Sequence, residues 1–236
     1  MLSNAEIKSY AKKRMKANWL NCVLAMLSVT LISMLLSGIA MTGTTVRTGP
    51  EGTVDVSMGP LYAPVSTLSA LILAPFAMGL ALFFIRTVVR GEDGVDLLLP
   101  LTSVKDDLSR KIAAAAYAYL YTMLWTLALI IPGIIKSFAY ALTNYIVVDH
   151  PGVQAKDAFR ISERVMKGKK MSYFLFQLSF IGWYILGVLT LGIGLIVWVS
   201  PYVGAATAEW YDQRMSEALR EGVITQGQLD GTEPIG

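Results

Sequence analysis

The residues of this sequence that could do chemistry are few and far apart. His150 is the only histidine and Cys22 the only cysteine. A zinc or catalytic role for His150 would need partners that the chain barely offers, and its place in an Asp-His-Pro-Gly sequence favours a turn residue. No HExxH motif, nucleophile elbow or phosphate-binding glycine loop occurs. The sequence therefore predicts no catalytic residue, no metal or cofactor site, and no enzyme.

Four polar side chains interrupt long apolar segments, and they are Asn21, Lys136, Asn144 and Gln177. Polar groups are costly in hydrocarbon, so each is a candidate functional residue. Lys136 follows a predicted turn and can extend its amine to the outer headgroups. For Asn144 and Gln177, hydrogen bonding between helices is favoured over a transport pathway, which stays open as the alternative.

The apolar segments themselves point to a membrane protein. Apolar residues make up 54% of the chain and charged residues 16%, and the mean hydropathy is +0.53. These residues are gathered in blocks that a water-soluble core of this size could not absorb. The sequence predicts an all-α, polytopic transmembrane helical bundle. A signal anchor is favoured at the start, with cleavage after Ala40 as the alternative.

Block lengths predict six spans. A crossing needs about 20 apolar residues, so the blocks at 112–148 and 171–208 are each long enough for a hairpin of two spans. Pro132 and Gly133 are the predicted turn of the first hairpin, and Gly192 and Gly194 that of the second. The predicted spans are residues 19–41, 61–85, 112–131, 133–148, 171–189 and 194–211.

Lysine and arginine set the predicted orientation. With six spans, 18 of the 20 basic residues fall on one side, which the positive-inside rule assigns to the cytoplasm together with both termini. The alternative ends the third span near Ile135 and leaves residues 137–148 on or outside the surface. That alternative exports the six basic residues between Asp149 and Lys170, which the same rule disfavours.

Two basic segments read as amphipathic helices on the cytoplasmic side. Residues 1–18 begin with a capping box, Ser3 and Glu6, and place Ile7, Tyr10, Ala11, Met15 and Asn18 on one stripe. Residues 153–167 place Ala155, Ala158, Phe159, Ser162, Val165 and Met166 on one face. Such helices would lie on anionic lipid, with headgroup candidates Lys12, Lys13, Lys167, Lys169 and Lys170. For residues 1–18, a charge run that only orients the chain is favoured over lipid binding.

The last predicted span carries a ridge of small residues at a spacing of four: Ser200, Gly204 and Ala208. Small side chains let helices approach closely, within the chain or in a dimer. Residues 212–236 are expected to form a cytoplasmic tail. The predicted partners are membrane lipids and a membrane-protein partner or a second copy of the chain. Nucleic acid is not expected, because the basic residues cluster beside apolar segments.

The C-terminal half contains the stretch 130–136 with Tyr140, Tyr145, Asp149 and Pro151, followed by Met166, Lys167, Gly168 and Lys170. The pattern continues through residues 180–183 and 189–194 to Pro201 and Tyr202. This pattern resembles the DUF975 family of bacterial integral membrane proteins. The resemblance implies a multi-pass protein of the bacterial plasma membrane with no established activity, and hence no functional residues to carry over.

Two functional hypotheses follow. The first is a non-enzymatic membrane module that interacts with lipid or partner membrane proteins, and it rests on the two basic amphipathic segments. The second is a small-solute transporter or channel, suggested by the helix breaks at Pro75 and Pro132 and by Asn144 and Gln177.

Overall fold

A computed structural model gives the fold and describes residues 3–41, 44–48, 54–57, 59–128 and 130–235. The N-terminal part contains two long helices and a short hairpin of strands. Its elements are α1 (Asn4–Ala17), α2 (Trp19–Ala40), β1 (Thr45–Thr48), β2 (Val54–Ser57), α3 (Tyr62–Phe84), a π-helical segment (Ile85–Arg90) and α4 (Leu99–Thr102).

The C-terminal part is a series of shorter helices that ends in one long helix and a single turn. Its elements are α5 (Leu108–Ala128), α6 (Ile130–Ala139), α7 (Thr143–Asp149), α8 (Ala155–Val165), α9 (Lys170–Leu178), α10 (Ile181–Leu189), a second π-helical segment (Leu195–Val199), α11 (Ser200–Arg220) and α12 (Gln226–Leu229).

The predicted helical bundle is confirmed, with one addition. Strands β1 and β2 pair antiparallel between α2 and α3, with Thr45 opposite Ser57 and Val46 opposite Val56. Threonine and valine favour extended backbone, which accounts for strands in a segment that apolar block length marks only as a loop. The fold is therefore helical with a small β-hairpin, rather than strictly all-α.

Helix α11 is the centre of the packing. It contacts α1, α2, α3, α8 and both π-helical segments. Its buried Trp210 lies with its ring centroid 4.7 Å from that of Tyr173 in α9, and Tyr202 lies 5.7 Å from Trp183 in α10. Because these contacts pair the start of α11 with α10 and its middle with α9, α11 runs antiparallel to both.

Helix α1 has the predicted capping box but a different neighbour. The Glu6 amide donates to Ser3 Oγ at 3.3 Å, and the Glu6 carboxylate accepts from the Ser3 amide at 2.8 Å. Three residues of the predicted stripe, Ile7, Ala11 and Met15, are fully buried, and α1 packs against α11. The prediction that this face lies on lipid is wrong, since a protein helix covers it.

Helix α8 follows its predicted pattern closely. All six residues assigned to its apolar face are buried: Ala155, Ala158, Phe159, Ser162, Val165 and Met166. The face packs on α5 and α7, and the Phe159 ring stacks on Tyr140 with centroids 4.1 Å apart. As in α1, the apolar face contacts protein where the sequence predicted a membrane surface.

Three helical stretches among the described residues are long and apolar enough to cross a membrane: Trp19–Ile39, Tyr62–Arg90 and Lys170–Leu189. We call them the candidate spans. Much of their surface is apolar and exposed, as at Leu35, Ile39, Leu186, Val188 and Leu189. The count of six spans is therefore not supported.

Three predicted spans lie outside this set, and the first of them, 112–131, overlaps the single helix α5. Segment 133–148 divides into α6, of 10 residues, and α7, of 7 residues, with a turn at 140–142. At 1.5 Å per residue these helices are about 15 and 11 Å long, well short of a hydrocarbon core of about 30 Å. Segment 194–211 runs through the second π-helical segment into α11, which returns alongside α10 and α9 and carries Asp212, Arg214 and Glu217 beyond residue 211.

Residues 212–235, which the sequence assigned to a C-terminal tail, are folded onto the rest of the protein. Helix α11 continues to Arg220, and α12 follows with its own capping box at Thr225. Ile224, Leu229 and Ile235 are buried in the same core as Ile7 and Trp210. The boundary predicted at residue 211 thus falls in the middle of a helix.

Candidate functional site

A cluster of charged side chains surrounds an open cavity of about 560 Å³. Its lining residues are Arg160, Glu163, Arg164, Lys167 and Lys170, and we call it the basic pocket. Four of these five side chains are cationic at neutral pH. The cavity therefore offers guanidinium and ammonium donors to an anionic ligand.

The amphipathic design of α8 produces this pocket. The buried face holds the helix against α5 and α7, so that Arg160, Glu163, Arg164 and Lys167 share one outward stripe. Their spacing of i, i+3, i+4 and i+7 brings successive side chains together on a helical surface. The chain then turns through Gly168 and Lys169 into α9, whose first residue is Lys170.

Ion pairs remove the nearest acidic charge from the pocket. Glu163 Oε1 accepts from Lys136 Nζ of α6 at 2.5 Å, so this carboxylate is already neutralised. Within the described parts of the chain, the salt bridges reach Lys136 and Lys169 but none of Arg160, Arg164, Lys167 and Lys170. These four cations keep their charge for a ligand.

The same ion pair corrects the predicted place of Lys136. The sequence predicted Lys136 at the outer headgroups and α8 in the cytoplasm, on opposite sides of about 30 Å of hydrocarbon. The structure joins them directly, and Lys136 Nζ also lies 5.0 Å from the Trp125 ring centroid. Lys136 of α6 therefore lies beside α8, and not a membrane thickness away from it.

The predicted headgroup residues separate into three groups. Lys167 and Lys170 line the basic pocket, whereas Lys169 Nζ pairs with Glu217 Oε1 of α11 at 3.1 Å. Lys12 and Lys13 are exposed on α1, with Lys12 Nζ 6.0 Å from the Trp183 ring centroid. Arg160 and Arg164 also belong to the site, although the sequence placed them only on the polar face of α8. Their helical spacing relative to Lys167 could have shown that the three side chains share one face.

The intramembrane polar candidates do not converge. Asn21, Lys136, Asn144 and Gln177 lie on α2, α6, α7 and α9 respectively, and none of them lines the basic pocket. Gln177 Nε2 donates to Tyr173 OH at 2.8 Å within α9, so its hydrogen bond is formed inside one helix rather than between helices. The half-buried Asn21 and Asn144 belong to different parts of the bundle.

Only one of the two predicted turns lies at its glycines. Leu191 and Gly192 have φ angles of 55° and 84°, and the left-handed region is open to glycine without steric cost. The Thr190 hydroxyl closes this turn by accepting from the Gly194 amide at 2.8 Å. In contrast, Pro132 and Gly133 lie inside α6, near its start at Ile130.

The small-residue ridge of α11 is used within the chain. A Cβ placed on Gly204 would lie 2.6 Å from Cε2 of Phe84, so only glycine lets α11 approach the end of α3 this closely. Ala208 is fully buried, and Ser200 is half-buried. The ridge therefore serves internal packing.

A second group of polar side chains, the polar junction, joins four elements. It consists of Arg14, Arg90, Asp149, Glu209 and Tyr211. Arg90 pairs with Asp149, Tyr211 donates to Asp149 Oδ2 at 3.1 Å, and Arg14 lies 3.5 Å from Glu209. Its members come from α1, the first π-helical segment, α7 and α11, so no local sequence pattern could reveal it.

The cations of the polar junction are paired within the protein. Arg14 also donates to the carbonyls of Val88 and Val89. Beside it, burial lowers the pKa of His150, although the neighbouring Asp149 charge acts in the opposite direction, so the imidazole is neutral at neutral pH. The Arg14–Glu209 contact joins α1 to α11, and Asp149 joins α7 to the first π-helical segment and to α11, as structural residues do. The described residues contain no group of three or more His, Cys, Asp or Glu side chains able to hold a metal ion.

A family model matches the part of the chain that forms the basic pocket. The model for a protein of unknown function, DUF975, matches residues 71–217, which include α8, the start of α9 and every residue of the basic pocket. No curated protein and no solved structure matches the chain. The matched range is well over half of the sequence and contains the stretches that carry the resemblance. The chain belongs to the DUF975 family, a family of proteins of unknown function.

Proposed function

We propose that this protein is a non-enzymatic integral membrane module that binds anionic lipid headgroups in the basic pocket. One observation carries the proposal. Four cations without a carboxylate partner in the described chain surround a cavity, and one of them, Lys170, is the first residue of a candidate span.

The exposed apolar surface supports a membrane location. Leu186 and Val188 on α10 and Leu35 and Ile39 on α2 are all more than half exposed, and the tip residue Leu191 is 94% exposed. Exposed apolar side chains in this number are unfavourable in water and are expected where helices face lipid. The candidate spans supply the length and hydropathy for insertion.

The level of the basic pocket supports an anionic headgroup as its ligand. If Lys170–Leu189 crosses a bilayer, Lys170 lies at its surface, where headgroup phosphates are located. Arginine binds phosphate through two parallel hydrogen bonds, and each lysine or arginine near an anionic surface contributes about 1 kcal/mol. Arg160 and Arg164 with Lys167 and Lys170 provide both kinds of contact.

The distribution of charge supports a cytoplasmic location for this end of the molecule. The basic helix α1 packs on α11, and Lys169 and Arg214 bind the C-terminal part of α11. The positive-inside rule places such a cluster in the cytoplasm of a bacterial cell, and both chain termini with it. A membrane-protein partner or a second copy would bind elsewhere than the ridge at Gly204, which internal packing occupies.

Transport is the alternative hypothesis, and the structure offers it less support. A pathway needs polar groups that converge on one cavity. The four predicted intramembrane polar residues lie on four helices, and Gln177 is bonded within its own helix. Lipid binding is therefore the function that the geometry favours.

Neutralising the basic pocket tests the proposal. The variant Arg160→Gln, Arg164→Gln, Lys167→Gln, Lys170→Gln is compared with the parent protein by native mass spectrometry in a neutral detergent. Phosphatidylglycerol and phosphatidylcholine with the same chains are the probes. We expect the affinity for phosphatidylglycerol to fall at least about tenfold, because each lost cation contributes about 1 kcal/mol, with little change for phosphatidylcholine.

The matched control neutralises four exposed lysines outside the pocket: Lys12→Gln, Lys13→Gln, Lys16→Gln and Lys105→Gln. It changes the net charge by the same amount and is expected to retain the preference for phosphatidylglycerol. An equal loss in both variants would show that net charge, not this pocket, controls binding. A parent protein that does not prefer phosphatidylglycerol would contradict the function itself.

A further inference from the structure

An apolar groove adjoins the basic pocket and shares one residue with it. Ile135, Phe138, Met171 and Phe174 line a cavity of about 210 Å³, and Lys170 lines both this groove and the pocket. Apart from the lysine, every side chain in the groove is hydrocarbon, aromatic or thioether. A charged cavity and an apolar one are thus continuous across a single side chain.

The groove has a fixed floor and an uncovered apolar surface. Phe138 packs edge-on against Phe174 at 5.7 Å between ring centroids and against Tyr173 at 6.1 Å, which holds α6 against α9. Above this floor, Met171 is 66% exposed, Ile135 48% and Phe174 38%. Such side chains are available to a ligand that is itself apolar.

The order of the two cavities along α9 matches the layers of a membrane. Lys170 begins the candidate span, and Met171 and Phe174 follow at one and four residues, about 1.5 and 6 Å further along the helix axis. If the membrane surface lies at the level of Lys170, the groove lies just beneath the headgroups, at the depth of the first acyl carbons. The basic pocket lies at the phosphate level.

We infer that the groove holds one acyl chain of an anionic membrane phospholipid whose headgroup phosphate occupies the basic pocket. This inference rests on the proposed function and names the ligand class as a phospholipid of the adjoining leaflet, not a soluble phosphate compound. Charge complementarity and continuity favour this occupant. An apolar helix of a partner would also need an anionic group beside Lys170 to satisfy the same four cations.

A ligand series with one headgroup tests the inference. The full-length protein in neutral detergent is titrated with glycerol 3-phosphate, lysophosphatidylglycerol and diacyl phosphatidylglycerol, and binding is followed by native mass spectrometry. We expect affinity to rise at least about tenfold from the chainless compound to the single-chain lipid, because the chain buries apolar surface in the groove. Equal binding of glycerol 3-phosphate and the lipids would overturn the inference and leave the headgroup site intact.

Two groove variants change the chain contact in different ways. Ile135→Ser with Met171→Ser removes apolar surface, whereas Ile135→Trp fills the space; both positions are exposed enough to limit effects on folding. Each is expected to reduce lysophosphatidylglycerol affinity about tenfold and to leave glycerol 3-phosphate binding unchanged. The matched control, Leu186→Ser with Leu189→Ser, removes exposed apolar surface elsewhere and should bind like the parent.

The remaining outcomes also decide between occupants. If the groove variants bind lipid normally but lose a dimer seen with the parent protein, a second copy fills the groove and the inference fails. If both the groove variants and the control lose lipid affinity equally, detergent-like adhesion explains binding and the inference fails. If the parent protein binds no anionic probe, the proposed function fails first.

Discussion

The substitution Arg214→Leu is expected to lower the free energy of unfolding by about 3 to 5 kcal/mol, the cost of removing one partner from a buried charged pair. The Arg214 side chain is only 2% exposed. Its guanidinium donates to the Val165 carbonyl at 2.8 Å, to Glu217 at 2.7 Å and to Glu221 at 3.2 Å. These bonds tie the end of α8 to α11 and so hold the frame of the basic pocket.

The loss is expected to depend on pH through Glu217. Burial acts to raise the pKa of Glu217, but hydrogen bonds from Lys169 and Arg214 outweigh it and hold the pKa below the usual value of 4.5. A carboxylate with a lowered pKa stabilises the fold above its unfolded-state pKa and loses that contribution as pH falls through its folded-state pKa. The destabilisation by Arg214→Leu should therefore shrink in acid, below about pH 4.5.

Denaturation in mixed detergent micelles, followed by tryptophan fluorescence, measures this effect. Arg220→Leu is the matched control, because Arg220 is exposed on the same helix and donates only to the Ser216 carbonyl at 3.2 Å. It should change stability by no more than about 0.5 kcal/mol. A change below 1 kcal/mol for Arg214→Leu would show that the Arg214 network does not hold α8 on α11.

Labelling of single cysteines is expected to show directly on which side of the membrane Lys136 lies. In a Cys22→Ala background, Lys136→Cys and Lys169→Cys should both resist an impermeant maleimide in intact cells and react after lysis. The reason is the direct Lys136–Glu163 ion pair, which places α6 on the side of α8. Leu191→Cys, at the exposed hairpin tip, is the control expected to react in intact cells.

The six-span arrangement predicts a different labelling pattern. It places Lys136 at the outer headgroups, so that Lys136→Cys would react in intact cells while Lys169→Cys would not. A short bismaleimide gives an independent check, because Lys136→Cys and Glu163→Cys in one chain should cross-link within the molecule. Labelling of Lys136→Cys alone in intact cells, without the cross-link, would restore the six-span arrangement.

Local patterns predicted the features that depend on local physics. The capping box at Ser3 and Glu6, the buried face of α8 and the turn at Gly192 all follow from side-chain periodicity or backbone freedom over a few residues. Each of these is confirmed. Periodicity also placed Ile7, Ala11 and Met15 on one stripe, and all three are buried, whereas Tyr10 of the same stripe is 47% exposed.

The sequence patterns identified the apolar faces of the helices correctly, but not whether protein or lipid contacts those faces. An apolar stripe has the same pattern whether α11 or lipid lies against it, so α1 was assigned to the membrane surface. Block length likewise counted residues 133–148 as a span, although Tyr140 and Leu142 are buried in the protein beside the turn between α6 and α7. Both decisions depend on tertiary contacts that a linear pattern does not contain.

The sequence identified the cations of the basic pocket but did not bring them together in one site. Lys167 and Lys170 were recognised as headgroup candidates from their place beside an apolar segment, and Arg160 and Arg164 as the polar face of a helix. Joining them required knowing that Glu163 pairs with Lys136 and that Lys169 pairs with Glu217. Those pairings span 27 and 48 residues of sequence.

Mapping a bound lipid on the chain tests lipid binding at the basic pocket most directly. The protein is reconstituted in nanodiscs that contain phosphatidylglycerol with a photoreactive group near the phosphate, irradiated and digested, and the modified peptides are identified by mass spectrometry. Modification is expected to concentrate at residues 160–170, to exceed that on α1, and to disappear in the variant Arg160→Gln, Arg164→Gln, Lys167→Gln, Lys170→Gln. Modification spread evenly over the basic segments, or unchanged in that variant, would contradict a lipid site in this pocket.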